Sequence, residues 1–434
     1  MAKKRNGRSL KVYLNNLPLG LLSYNARKSL SFTYLPEWLD RPSAFPISRC
    51  LPLREDAFEG DVVFAYFDNL LPDGVSIRQR MAARMSASSD QVFDLLAVVG
   101  RDCVGALQFI REDDEPPTVD EASGTIVTPT EIAEMLRNLR AIPLAVSQED
   151  DFRLSIAGAQ EKTAFLFQNG KWHVPHGPMP TTHIFKPQIG EIKPGLSFSD
   201  SVENEWLCAQ IAQAYGLPTA ECEVAEFDGV KVLVVKRFDR AWSGPLLIRI
   251  PQEDMCQALS IPNFKKYEAE GGPGILTIME LLNESSRRER DRRLFMKTQV
   301  VFFLLAAIDG HAKNFSLRWG PSGFNLTQLY DILSAQPMID KGGFQLQKVK
   351  MAMAYGENRH YKIAELSRRH FEQTAKQCKF NAADMQQIID EVIAETPKVI
   401  DQVTVNLPKD FPKEIHRSIM AGIRSRLPLL EKPL

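Results

Sequence analysis

Cysteine is scarce and dispersed: the six residues (Cys50, Cys103, Cys208, Cys222, Cys256, Cys378) form no C-x-x-C pair and have no histidines at metal-ligand spacing. That excludes a disulfide scaffold and a zinc module, and the thiols read as reduced and mostly buried. Long apolar runs are also missing. The longest, Val300 to Ile308, is far short of a membrane span. Asn15, Asn16 and Pro18 interrupt what would be the apolar core of a signal peptide behind Lys3-Lys4-Arg5. A cytoplasmic protein without membrane contact is expected. Neither charge is in excess, with 53 Lys+Arg against 54 Asp+Glu, so any nucleic acid must be met by a local basic face.

What is present is a chain of 434 residues, 44% hydrophobic and 25% charged, long enough for two or three cores. Leu10 to Tyr34 alternates apolar and polar residues around Pro18-Leu19-Gly20 and predicts a small antiparallel meander. Helices are predicted over Asp56–Met85 and Ser89–Val99, with a returning strand over Asp102–Ile110. The acidic Arg111–Ser123 stretch, with Pro116-Pro117, reads as a linker, and Thr128-Pro129-Thr130-Glu131 opens a helix with a capping box.

Ser155 to Arg240 is the most informative stretch. A strand, Thr163–Phe167, turns on Asn169-Gly170 and returns through Trp172–Val174. A third strand carries Lys186, and a helix starts near Asp200, with Asp200 and Glu203 as N-cap and capping-box partner. A second hairpin, Cys222–Phe227 and Lys231–Lys236, turns on Asp228-Gly229. Hairpin, lysine strand, helix, hairpin is the element order of a protein-kinase ATP lobe. A helical run from about Ser286 to Ile308 follows, then helix-length segments broken at Pro397, Pro408 and Pro412. The expected fold is α+β and two-lobed: a β-rich N-terminal subdomain over 1–145, an ATP-binding lobe over 146–245, and an all-helical C-terminal lobe over 246–434.

Behind the apolar helix stands Asp309-Gly310-His311-Ala312-Lys313-Asn314, and a second acid lies in Leu329-Tyr330-Asp331-Ile332-Leu333. Protein kinases need a carboxylate to accept the proton of the attacking hydroxyl, an Asn five residues on to hold magnesium, and a further Asp to bridge metal and phosphates. Asp309, Asn314 and Asp331 match those parts in order and spacing. Singly, Asp309 could cap a helix and Asp331 a strand; their joint occurrence behind a lysine strand favours the catalytic reading. Lys186 would neutralise the nucleotide phosphates and pair with a helix carboxylate, Glu205 being better placed than Glu203. Ala157-Gly158-Ala159-Gln160-Glu161-Lys162 is a weak phosphate cradle that fits no P-loop NTPase pattern. Lys236-Arg237-Phe238 falls where a hinge between lobes would touch adenine, though an ordinary strand end fits that spacing equally well. Lys376 and Lys379, with Arg368 and Arg369 upstream, could face phosphate or simply solvent.

With those residues in view, the chain resembles the HipA family, serine/threonine kinase toxins of HipA–HipB toxin–antitoxin modules, almost end to end. Phe67-Asp68-Asn69-Leu70-Leu71-Pro72-Asp73, Gly100-Arg101-Asp102, Ser155 through Lys162, Pro251-Gln252-Glu253-Asp254-Met255 and Gly271 through Gly274 carry the resemblance. It implies ATP and Mg2+, with Asp309 as catalytic base and Asn314 and Asp331 on the metal. Nucleotide contacts are implied from Ala157, Gly158, Ala159, Gln160, Glu161, Lys162, Lys186, Lys236, Arg237, Phe238, His311, Ala312, Lys313, Asn314, Tyr330 and Asp331. It also implies autophosphorylation of Ser155, a HipB-like helix-turn-helix antitoxin, operator DNA reached by Lys376 and Lys379, and a protein substrate, glutamyl-tRNA synthetase being the family's best-known one. Lys236 departs from the acidic residue expected there. The competing functions are a DNA-bound co-repressor with incidental kinase activity and a small-molecule or lipid kinase.

Overall fold

The computed structural model describes residues 9–116, 123–139, 160–193 and 196–431. The N-terminal meander forms as the alternation predicts. Ser9–Leu14, Leu17–Tyr24 and Leu30–Tyr34 pair antiparallel in a five-stranded sheet edged by Leu107–Arg111 and Phe58–Glu59. Its first turn is made by Asn15 and Asn16, both left-handed at φ 47° and 65°, whereas Pro18-Leu19-Gly20 lies inside the second strand. Gly20 is needed there because a Cβ would come 2.5 Å from the Phe32 ring.

The helix expected over Asp56–Met85 is two helices, Asp61–Asp68 and Val75–Arg84, behind a two-residue strand. Between them Pro72 cannot donate a helical hydrogen bond, and the irregular backbone leaves Asn69 and Asp73 facing the cleft described below. The expected strand from Asp102 starts only at Leu107. Residues ahead of it serve other partners: the Gly105 amide donates to Asp239 at 2.7 Å.

The second sheet has six strands in the order Cys222–Phe227, Val230–Lys236, His183–Pro187, Thr163–Gln168, Lys171–Pro175, Gly124–Ile126. Both hairpin turns take positive φ at both central residues, Asn169-Gly170 (52°, 75°) and Asp228-Gly229 (45°, 77°), as a type I′ turn requires. The Thr128–Glu131 capping box forms, and the helix behind it buries Ile132, Ala133 and Leu136 against Phe165 and Phe185. Residues 124–137 therefore pack with the second sheet although the sequence groups them with the first. The helix Ser201–Ala214 starts where expected, but its capping box is absent: Asp200 pairs with Lys341 at 2.8 Å, and Glu203 with Lys231 at 2.5 Å.

The C-terminal lobe is not all-helical. It carries a three-stranded sheet, Gln252–Asp254, Ser316–Gly320 and Gly323–Leu326, and two-stranded pairs at 240–249 and 350–362. These strands are short and lie among polar turns, so helix-length periodicity hides them. Its largest core surrounds the buried helix Arg288–Leu305 and the 24-residue helix Ala382–Val405, which continues past Pro397 rather than ending there. The lobes meet at a parallel bridge between Thr219 and Leu329 and a hydrogen bond from Ala220 N to Leu329 O of 2.8 Å.

Candidate active site

The cleft between the second sheet and the C-terminal lobe encloses about 1090 Å³. Lys186, on the central His183–Pro187 strand, extends its buried ammonium into it. Nζ lies 2.7 Å from Glu205 Oε1 and 2.9 Å from Asp331 Oδ1, so the pairing goes to Glu205 and not Glu203. Burial alone would lower the Lys186 pKa, but Asp331 and Glu205 outweigh it and hold the group charged, well above the ordinary lysine value. Asp331 is likewise opposed by burial, yet Lys186 and Lys162 keep its carboxyl well below the usual range. Burial and the neighbouring Lys186 push the Lys162 ammonium down to about 8. Asp331 has φ 60°, a left-handed conformation that an Asp tolerates better than a bulkier residue.

The helix Arg288–Leu305 ends in a left-handed Ala306 (φ 51°), and the chain turns through Asp309-Gly310-His311. Gly310 is required because a Cβ would sit 2.7 Å from the Phe302 ring. Asn314 Nδ2 donates to the Asp309 carbonyl at 3.0 Å and the Asp331 carbonyl at 3.3 Å, tying the two acids together. Tyr330 donates to the Lys313 carbonyl at 2.8 Å, and its ring lies 5.8 Å from that of Phe238. The Tyr267 hydroxyl donates to Asp309 Oδ1, and its ring stands edge-on to His311 at 5.0 Å. His311 is buried, which lowers its pKa, and its Nδ1 has no hydrogen-bond partner among the described residues.

Not every expected contact faces the cleft in the same way. Gln160 and Lys162 line it, as does Glu161, which pairs with Arg80 of the N-terminal subdomain. Lys236 points to solvent and pairs with Glu221 at 2.7 Å. Arg237 is buried, forked onto Asp239 (2.9 and 2.8 Å) and 3.1 Å from Asp102, so its guanidinium has structural partners and only its backbone can serve a nucleotide. The Lys313 ammonium is buried against Asp73 (2.9 Å) and Asn69 Oδ1 (2.9 Å). Ala312 is buried in the loop. Ser155, Ala157, Gly158 and Ala159 lie outside the described residues. Lys376 and Lys379 are exposed at the end of the Arg368–Gln377 helix and do not line this cleft, while Arg368 is occupied by Glu372 and Asp390. Sequence reasoning missed Asp73, Lys266 and Tyr267, although Asp73 closes one stretch that carried the resemblance.

A strand lysine paired to a helix carboxylate, facing an Asp–Asn pair and a second Asp across an interlobe cleft, is the arrangement found in protein-kinase-like folds. Residues 154–400 match the HipA-like C-terminal domain model and residues 10–110 the HipA N-terminal domain model. The chain is 32% identical over 400 residues to Y4mE of Sinorhizobium fredii, designated a kinase, covering 91% of this chain and 92% of that one. It is 28% identical over 348 residues to the serine/threonine-protein kinase toxin HipA of Shewanella oneidensis, covering 75% of each. The fold is that of the HipA in the Shewanella oneidensis HipA, HipB and operator DNA complex: TM-score 0.80 at 21% identity, covering 97% of this chain and 98% of that one. The chain belongs to the HipA family of kinases.

Proposed function

We propose that the protein is an ATP- and Mg2+-dependent serine/threonine protein kinase, acting as the toxin of a HipA–HipB-type module. The observation that carries this is the buried Lys186 ammonium held between Glu205 and Asp331, with Asp309 and Asn314 on the facing wall. Asp309 accepts the proton of the acceptor hydroxyl as that oxygen attacks the γ-phosphorus. Lys186 neutralises phosphate charge, and Glu205 fixes its position. Asn314 and Asp331 would hold Mg2+; an amide oxygen and a carboxylate kept ionised are the hard donors such a cation takes. When bound, the metal offsets charge on the phosphates. Tyr330 and Phe238 offer the aromatic surface nearest the hinge.

The relatives' designations support a protein acceptor, glutamyl-tRNA synthetase being the first to test, and autophosphorylation at Ser155 belongs to the same proposal. The named HipB and operator DNA of the structural relative support an antitoxin partner and repression through DNA, with Lys376 and Lys379 contributing phosphate contacts. A cytoplasmic location fits this role, and no helix among the described residues is long and apolar enough to cross a membrane. The test is incubation of the purified chain with γ-labelled ATP, Mg2+ and a cell lysate. Label in protein, lost in Asp309→Asn, is the expected result; label only in small metabolites would overturn the protein-kinase reading.

A further inference from the structure

Asp309 is exposed at the cleft, so its carboxylate has rotamer freedom that a general base must lose before transfer. Its own loop restrains its main chain, through the Asn314 side-chain amide and the His311 backbone amide, both donating to the Asp309 carbonyl. The side chain is held from elsewhere, by the Tyr267 hydroxyl on Oδ1. Burial and the facing Asp309 carboxylate push the Tyr267 phenol well above its ordinary pKa, so it stays protonated and remains a donor. The segment carrying Tyr267 is fastened at several points. Lys266 O accepts from Ala312 N at 3.3 Å, Tyr267 O accepts from Gly272 N at 2.9 Å, and Glu268 Oε2 accepts from Ala354 N at 2.6 Å.

One carboxylate from a different part of the chain brackets this arrangement. Asp73 Oδ2 lies 3.0 Å from Lys266 Nζ, beside Tyr267, and Asp73 Oδ1 lies 2.9 Å from Lys313 Nζ, in the loop that carries Asp309. Burial would raise the Asp73 pKa, but Lys313 and Lys266 hold it below the ordinary value, so it stays charged between two cations. Asn69, a turn earlier, adds a 2.9 Å contact to Lys313 and donates to Ile261 O at 2.8 Å. A domain that served only to cover the kinase fold or to meet a partner would not need a buried carboxylate shared by the two segments flanking the base.

We infer that Tyr267 positions the general base Asp309, and that the N-terminal subdomain is part of the catalytic apparatus because its Asp73 locks the Tyr267 segment to the catalytic loop. One oxygen of Asp309 is taken by the phenol, and the other is left to receive the acceptor proton. The inference rests on the kinase reading given above and adds positioning residues to it.

The experiment compares the full-length chain with Tyr267→Phe and Asp73→Asn. It reads transfer from γ-labelled ATP to protein, nucleotide affinity by calorimetry, and thermal melting. Tyr267→Phe keeps the ring against His311 and is expected to lower kcat about tenfold, with nucleotide affinity and melting temperature unchanged, a split that a merely structural role would not give. Asp73→Asn is expected to lower kcat too, and in the double variant the losses combine to less than their product because both act on one arrangement. Should Asp73→Asn fail to fold, Tyr267→Phe alone decides. An unchanged kcat in Tyr267→Phe overturns the inference, and so does an increased one, since the phenol would then be blocking the base. If the unaltered chain transfers no label at all, the kinase reading falls and this inference with it; transfer that is robust and indifferent to Tyr267→Phe removes the inference alone.

Discussion

Two buried ion clusters, one around Asp102 and one around Lys186, are built for different work. Around Asp102, three guanidiniums converge: Arg240 at 2.7 Å, Arg237 at 3.1 Å and Arg249 at 3.3 Å, with the Thr181 amide and hydroxyl on the same carboxylate. Arg237 and Asp102 side chains are 1% and 3% exposed. That cluster joins the N-terminal subdomain to both kinase lobes through one guanidinium nitrogen each from Arg237, Arg240 and Arg249, while Arg237 also forks onto Asp239. Around Lys186 the arrangement is smaller and open on one side, the Asp331 side chain being 33% exposed. A closed cluster fixes architecture; a cluster with one half-open carboxylate has an oxygen left for something else. The cost of burial shows in both: it pushes Arg249 down to about 10 and Lys162 to about 8.

Breaking the closed cluster should have the largest effect on stability. Arg237→Met removes the guanidinium forked onto Asp239 and touching Asp102, leaving Arg240 alone between the two acids, and is expected to cost about 3–5 kcal/mol, measured by chemical denaturation, with transfer per folded molecule retained. Next comes the open cluster: Glu205→Gln frees Lys186 from its helix and should lower kcat by about ten- to a hundredfold while the melting temperature moves little. A smaller effect sharpens the contrast between a cluster and a lone acid. Glu253, buried with no ion pair among the described residues and accepting from Trp319 Nε1 at 2.6 Å and Arg49 N at 3.3 Å, is raised from 4.5 to about 8, chiefly by burial. A raised carboxyl stabilises the fold fully below its unfolded pKa, and that contribution is lost as pH rises through about 8. Glu253→Gln should therefore raise the melting temperature at pH 9 by roughly 3 °C or more, with the gain shrinking toward pH 5. Smallest is the surface pair: reversing Lys376 and Lys379 should leave kinase activity intact and only weaken and flatten the salt dependence of operator binding by an antitoxin complex.

The open cluster was legible in the sequence and the closed one was not, for a physical reason. Lys186, Asp309, Asn314 and Asp331 are required by chemistry at characteristic spacings. The hairpins announce themselves through Asn169-Gly170 and Asp228-Gly229, whose φ values few other residues accept. At Arg237 the spacing fits a hinge contact and an ordinary strand end equally well and only the resemblance implies a nucleotide contact, and nothing local reveals that its guanidinium reaches Asp102, 135 residues earlier. Asp73 and Lys313 are farther apart still, and their meeting depends on how the subdomains pack. The strands of the C-terminal lobe were missed because each is too short to establish a period of two. The capping box expected at Asp200 failed because Lys341 and Lys231 offered its carboxylates charged partners instead.

Asp331 belongs to the Lys186 cluster and also faces the cleft, so the kinase chemistry proposed above depends on it most directly. The decisive measurement is transfer from γ-labelled ATP per folded molecule in Asp331→Asn, beside Arg237→Met at matched folded fraction. The expected result is loss of transfer in the first and near-parental transfer in the second; near-parental transfer by folded Asp331→Asn would contradict the account.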